Sequence, residues 1–136
     1  MDNLELRARI IEARRAQRML ALTDRIERDS MLLAIAEALE CESETLIQAN
    51  EADLMQAREE HLAFPLLKRL VFDKEKITHV CGQLRQVAQL DDPIGTVAER
   101  RLLDESLLLE RVSVPIGTIG MVFESRPDAL VQIVSL

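Results

Sequence analysis

Val112-Ser-Val-Pro-Ile-Gly-Thr-Ile-Gly-Met-Val-Phe-Glu-Ser-Arg-Pro-Asp128 is the stretch whose reading decides the fold. The chain turns at Pro115 and enters an apolar run, residues 116–123, that carries no charged side chain. Such a run of β-branched and bulky residues predicts a strand buried on both faces. It stops on Glu124, Ser125 and Arg126, crowded against Pro127. A polar cluster is therefore expected at the C-terminal end of a buried strand, just before a helix. In open α/β sheets that edge is where ligands bind.

Working outward, residues 96–103 and 107–114 read as two extended segments around Asp104-Glu105-Ser106, with Gly95 at their start, which predicts a β-hairpin. Downstream, residues 129–136 read as an apolar helix with Pro127 near its first turn. That helix has neither a Gly or Asn stop nor a basic last turn, so the pattern reads as truncated. Upstream, residues 1–92 are a helical region. Leu6, Ile10, Ala13 and Leu20 recur at helical spacing, then Leu32, Ile35, Ala36 and Leu39, then Ile47, Asn50, Leu54 and Ala57. Thr23 or Asp24 can cap the second of these helices. Pro65 suits the first turn of a short helix. Asp73 then starts the clearest helix of all, with Ile77, Val80, Cys81, Leu84, Val87 and Ala88 on one stripe, ending before Asp91-Asp92-Pro93. Helices, then a hairpin, then a buried strand and one more helix suit the opening of an α/β domain.

Composition narrows the function classes. The 136-residue chain has a net charge of −7 and a sequence pI near 4.9, and no basic run interleaved with aromatics, which argues against nucleic acid as a partner. No apolar stretch is long enough to span a bilayer and the polar N-terminus lacks a signal core, so a cytoplasmic protein with no membrane association is expected. Tyr and Trp are absent and Phe is scarce, which argues against an aromatic stacking platform. Cys41 and Cys81 lack Cys-x-x-Cys spacing and read as free thiols.

The residues from Pro115 to Asp128, followed by Ala129-Leu-Val131, resemble a segment of the γ-glutamyl phosphate reductases, also called glutamate-5-semialdehyde dehydrogenases. The version in the reductase half of Δ1-pyrroline-5-carboxylate synthases is the nearest in pattern, and both belong to the aldehyde dehydrogenase superfamily. Ile47-Gln-Ala-Asn-Glu-Ala-Asp-Leu54 and Leu84-Arg-Gln-Val-Ala-Gln-Leu-Asp-Asp-Pro-Ile-Gly95 fit the same family in the same order. The resemblance covers nearly the whole chain and implies the N-terminal part of a longer enzyme. It divides into a helical region 1–92, a hairpin 96–114 that serves as an oligomerisation arm in the superfamily, and the start of a nucleotide-binding core at 115–136.

The resemblance further implies NADPH-dependent reduction of γ-glutamyl phosphate to glutamate 5-semialdehyde and phosphate, in proline biosynthesis. In that chemistry a cysteine thiolate displaces phosphate and the resulting thioester is reduced. Neither Cys41 nor Cys81 matches that cysteine, and both read as small hydrophobes in or beside helical stripes, so the chain alone is expected to be inactive. The wider superfamily's loop at this strand end touches the nicotinamide side of the cofactor and supplies a side-chain amide to the oxyanion hole. Arg126 falls where that amide would be. The expected site is therefore Arg126 orienting the oxyanion or phosphate, Glu124 supporting it, and Val122, Phe123 and Ser125 beside the cofactor. The plainer reading of Arg126 is an ion pair with Glu124 or Asp128 that holds the strand-to-helix turn.

Other candidates carry less. Gly117 and Gly120 do not satisfy Gly-x-Gly-x-x-Gly or a P-loop and read as close-packing positions. His61 and His79 have no partner at ligand spacing, so no metal site is expected. The remaining carboxylates are spread over helix faces as partners for Arg and Lys. A rival reading treats the chain as a non-catalytic helical interaction module, derived from such an enzyme, whose hairpin mediates assembly.

Overall fold

The structure, a computed structural model, describes residues 3–135. Six helices and a two-stranded antiparallel sheet follow in the order α1 (Asn3–Leu20), α2 (Arg25–Cys41), α3 (Ser43–Glu59), α4 (Phe64–Leu70), α5 (Lys74–Gln89), β1 (Val97–Asp104), β2 (Leu107–Val112) and α6 (Pro127–Val134). They sort into two compact units. One holds α1 and the hairpin; the other holds α2 to α5 and α6. Leu136, the expected end of the last helix, lies outside the described residues.

The core of the second unit is built on α5. Its N-cap Asp73 is extended, and its carboxylate accepts from the Lys76 N–H at 2.9 Å, satisfying one donor that a helix start leaves free. Helical spacing then carries Ile77, Val80, Cys81 and Leu84 down one face, where all four are buried with Ala36 and Phe72. Val87 and Ala88 of the predicted stripe are half-buried. Leu32, Ile35 and Leu39 of α2, Leu46 and Ile47 of α3 and Val131 of α6 pack around this centre. Each fully buried Ile or Leu contributes about 1.5 to 3 kcal/mol.

Asn50 is the one buried polar residue among those described, and its place explains itself. Its amide donates to the Leu70 carbonyl at 2.9 Å and its oxygen accepts from the Phe72 N–H at 2.6 Å. It thereby satisfies the backbone where α4 has ended and α5 has not begun, and holds Phe72 in the core. At the other end of α3, His61 adopts a left-handed conformation (φ 56°). The His61 and Leu62 N–H groups bond to the Arg58 and Ala57 carbonyls, a Schellman close with histidine where glycine is usual.

The hairpin forms where expected. Glu105 and Ser106 make the turn, and β1 pairs with β2 through Arg100↔Glu110, Arg101↔Leu109 and Leu102↔Leu108. Its base is closed by Gly95 N–H to Ser113 O and Ser113 N–H to Thr96 O, with Gly95 at φ 77°, a conformation that favours glycine. The Arg100 guanidinium meets Glu110 at 2.7 Å across the strands. Leu102, Leu103, Leu107, Leu108 and Leu109 are all more than half exposed.

Two expectations change. The strand predicted over 116–123 is not formed: residues 113–124 have no ladder partner, and Ile116 and Val122 are 90% and 100% exposed. An apolar run specifies that it should be covered, but a strand also needs a neighbour to take its N–H and C=O groups, and no described segment pairs with this one. The α/β character of the described chain therefore rests on the helices and the hairpin. The first helix, predicted to bury an apolar stripe, has no buried residue; Ile10 and Ile11 remain about half exposed.

Candidate functional site

The predicted polar cluster lies at the entry into α6, without the buried strand expected before it. Ser125, half-buried, takes φ 53°, a left-handed value that costs a non-glycine residue on the order of 1 to 3 kcal/mol. This single residue turns the chain from the open 113–124 segment into the helix. Arg126 follows at φ −140° and ψ 83°, outside the helical region, as a residue before proline must be. Pro127 and Asp128 form the first turn, where a missing N–H and a negative charge are both favoured.

Besides Ser125, the four other predicted site residues are placed as follows. Val122 is fully exposed, Phe123 is 44% exposed, and Glu124 is exposed. The Arg126 side chain is half exposed, and its ion partner is Asp128, at 3.7 Å between Nη2 and Oδ2. Among the described residues, Glu124 forms no ion pair with Arg126. The Asp128 side chain is largely buried, and its Oδ1 has no hydrogen-bond partner.

Sequence reasoning missed the company Arg126 keeps. A cleft of about 650 Å³ is lined by Pro65, Lys68 and Arg69 of α4, Lys76 in the first turn of α5, Arg126 and Asp128. Four cations thus face one carboxylate in a chain whose net charge is −7. Lys76 is anchored, its Nζ donating to the Val71 carbonyl at 2.5 Å. The Lys-Arg pair in α4 is visible in sequence only as a basic last turn; its meeting with Arg126 depends on tertiary packing.

None of the other candidates lines this cleft. Cys81 is buried, its thiol 3.5 Å from the Ala36 carbonyl, and burial, followed by the charge of Glu40, raises its pKa; Cys41 is exposed. Glu40 and Arg85 join α2 to α5 through two bonds of 2.7 and 2.8 Å, and the Arg85 hydrogen bond holds the Glu40 carboxyl below its usual range. His61 and His79 are exposed, and among the described residues no cluster of His, Cys, Asp and Glu could hold a metal ion. Nor is any described helix long and apolar enough to cross a membrane.

No family model matches the chain. Curated proteins do. The γ-glutamyl phosphate reductase of Prochlorococcus marinus (strain MIT 9303) is 46% identical over 92% of this chain, and that of Synechococcus sp. (strain RCC307) is 45% identical over 97%. The chain belongs with the γ-glutamyl phosphate reductases. It spans 28 to 30% of the length of these relatives. Crystal structures of γ-glutamyl phosphate reductase agree. The Thermotoga maritima enzyme matches with a TM-score of 0.90 at 31% identity, over 99% of this chain and 32% of that one. The Saccharomyces cerevisiae enzyme matches with a TM-score of 0.86 at 36% identity, over 90% of this chain and 31% of its own. Both matches run over nine-tenths or more of this chain.

Proposed function

We propose that this chain is the N-terminal part of a cytoplasmic enzyme of proline biosynthesis that reduces γ-glutamyl phosphate with NADPH, giving glutamate 5-semialdehyde and inorganic phosphate. The observation that carries the reading is identity of 45 to 46% with reductases of that name over more than nine-tenths of the chain. The exposed apolar 113–124 segment supports it, because in a larger α/β sheet those side chains gain the cover they lack here.

Within that enzyme Arg126 is the residue that orients the acyl phosphate, or the oxyanion formed from its carbonyl. A guanidinium fork offers two parallel charge-assisted hydrogen bonds to such a group, which an ammonium cannot reproduce. The 3.7 Å separation from Asp128 is longer than a hydrogen bond, so the fork is available to a ligand. Asp128, rather than the expected Glu124, is the carboxylate positioned to steady it. Ser125 and Pro127 fix the backbone from which it projects.

NADPH, when bound, supplies the hydride. The chain's own residues suit only one end of it: Val122 and Phe123 offer exposed apolar surface and Ser125 a hydroxyl. Added Cβ atoms at Gly117 and Gly120 meet open space, so within the described chain these glycines are not the close-packing positions expected. Neither cysteine is suited to be the nucleophile, Cys81 because burial keeps it a neutral thiol and Cys41 because it lies at the end of α2, away from the α6 entry in sequence and element. The hairpin, with its exposed leucines, is the surface through which subunits of the enzyme associate.

The reaction is tested in reverse, where glutamate 5-semialdehyde, inorganic phosphate and NADP⁺ give γ-glutamyl phosphate, NADPH and a proton. The complete gene product forms NADPH only when phosphate is present, and the 136-residue chain alone forms none. NADPH formation that ignores phosphate, or none from the complete product, overturns the reading.

A further inference from the structure

We propose that the cleft between α4, the start of α5 and the entry into α6 is an oxyanion-binding site, in which Lys68, Arg69 and Lys76 act together with Arg126. As an assignment to one end of the substrate it rests on the function proposed above; as an anion site it does not. Four cationic side chains line one cleft with a single carboxylate, although acidic residues outnumber basic ones 24 to 17 in the chain as a whole. The cations are also short of counter-charge. Among the described residues neither Lys68 nor Arg69 has an ion-pair partner, and the Arg126–Asp128 contact is long. The nearby carboxylate of Asp73 is already engaged in capping α5. Like charges drawn together without counter-charges destabilise the fold by mutual repulsion, and a bound anion removes that cost. Lys76 is tied by its Nζ to the Val71 carbonyl before any ligand arrives, and Pro127 restricts the backbone from which Arg126 projects.

The ligand chemistry is a small oxyanion, carboxylate or phosphate. The proposed substrate carries both, an acyl phosphate at the reacting end and a carboxylate at the other. A cleft of about 650 Å³ accommodates either group with its hydration water. Lysines recognise both as point charges, so the identity of the bound end is a question for measurement.

The test is amide-resolved NMR titration of the 136-residue chain at fixed ionic strength, with inorganic phosphate, with glutarate as a carboxylate probe, and with sodium chloride as control. Saturable shifts confined to residues 65–69, 73–76 and 126–129 are expected. The double variant K68Q/R69Q, which changes only exposed side chains, weakens binding about tenfold, the loss expected for one hydrogen bond to a charged group. Saturation by phosphate but not glutarate assigns the cleft to the phosphate end, and the converse to the carboxylate end. Shifts no larger than those from sodium chloride, or saturation that K68Q/R69Q leaves intact, overturn the site. The reading is binding rather than turnover, so a failed reductase assay with anion binding intact discards the activity alone, and the reverse result discards the site alone.

Discussion

The guanidinium of Arg126 and the carboxylate of Asp128 stand 3.7 Å apart across Pro127, close enough to attract and too far to bond. The inner oxygen of Asp128 is buried with no partner. A residue whose only role was to clamp the turn would be expected to close that gap. Asp128 is also the sole negative charge in a cleft of four cations. Asp128→Asn should therefore raise phosphate or glutarate affinity in the titration above. It should also lower stability by about 0.3 to 1 kcal/mol, the value of a carboxylate in a helix's first turn. Unchanged or weaker anion binding would show that Asp128 does not act on the cleft.

Asn50 is expected to be the most costly polar substitution in the second unit. Asn50→Ala leaves the Leu70 carbonyl and the buried Phe72 N–H without partners, at about 1 to 3 kcal/mol for each buried group left unsatisfied. Asn50→Asp keeps the bond to Phe72 and opposes an oxygen to the Leu70 carbonyl, so it too destabilises. Urea unfolding of both variants checks this. A loss below about 0.5 kcal/mol for Asn50→Ala would mean that water takes over the role.

The two thiols should separate cleanly. Exposed Cys41 reacts with a disulfide reagent at once, whereas Cys81 reacts only through unfolding. Burial raises the folded-state pKa of Cys81. Above the ordinary thiol range the unfolded chain releases this proton first, so the Cys81 contribution to stability falls as pH rises through that window. Glu40 has the opposite sign. Its carboxyl is lowered by Arg85, so its contribution is present above the ordinary carboxylate range and is lost as pH falls toward the folded value. Cys81→Ser should flatten the alkaline decline, and Glu40→Gln the acid one; profiles unchanged by either would contradict these assignments.

The hairpin leucines predict association. Leu107 and Leu109 lie on β2, both more than half exposed. Leu107→Asp with Leu109→Asp in the complete gene product should lower the sedimentation-measured oligomer by at least one step while leaving far-UV circular dichroism unchanged. An unaltered oligomer would restrict these leucines to packing within the chain.

What was legible in the sequence followed local rules. Asp73 and the stripe of Ile77, Val80, Cys81 and Leu84 announce α5, because capping and helical period are both carried by neighbours in sequence. The hairpin was legible for the same reason, its turn residues lying between two extended runs. The strand expected over 116–123 is not formed among the described residues, because apolarity states a demand for cover and says nothing of what supplies it. Asn50 was read as one of a helically spaced set, and only packing shows that its amide serves the α4–α5 connection. In the cleft, the extended backbone of Arg126 was legible from its position before Pro127. Lys68, Arg69 and Lys76 were not, since nothing local links α4 and α5 to the start of α6.

The most direct measurement is the kinetics of Arg126→Lys in the complete gene product, with thermal stability measured beside it. Lysine keeps the charge and loses the fork. If Arg126 orients the acyl phosphate or its oxyanion, turnover in the phosphate-dependent reaction falls about ten- to a hundredfold, equivalent to about 1.5 to 3 kcal/mol, while Tm barely moves. A variant that melts earlier yet keeps wild-type turnover and substrate affinity would make Arg126 a structural ion-pair residue and contradict the account.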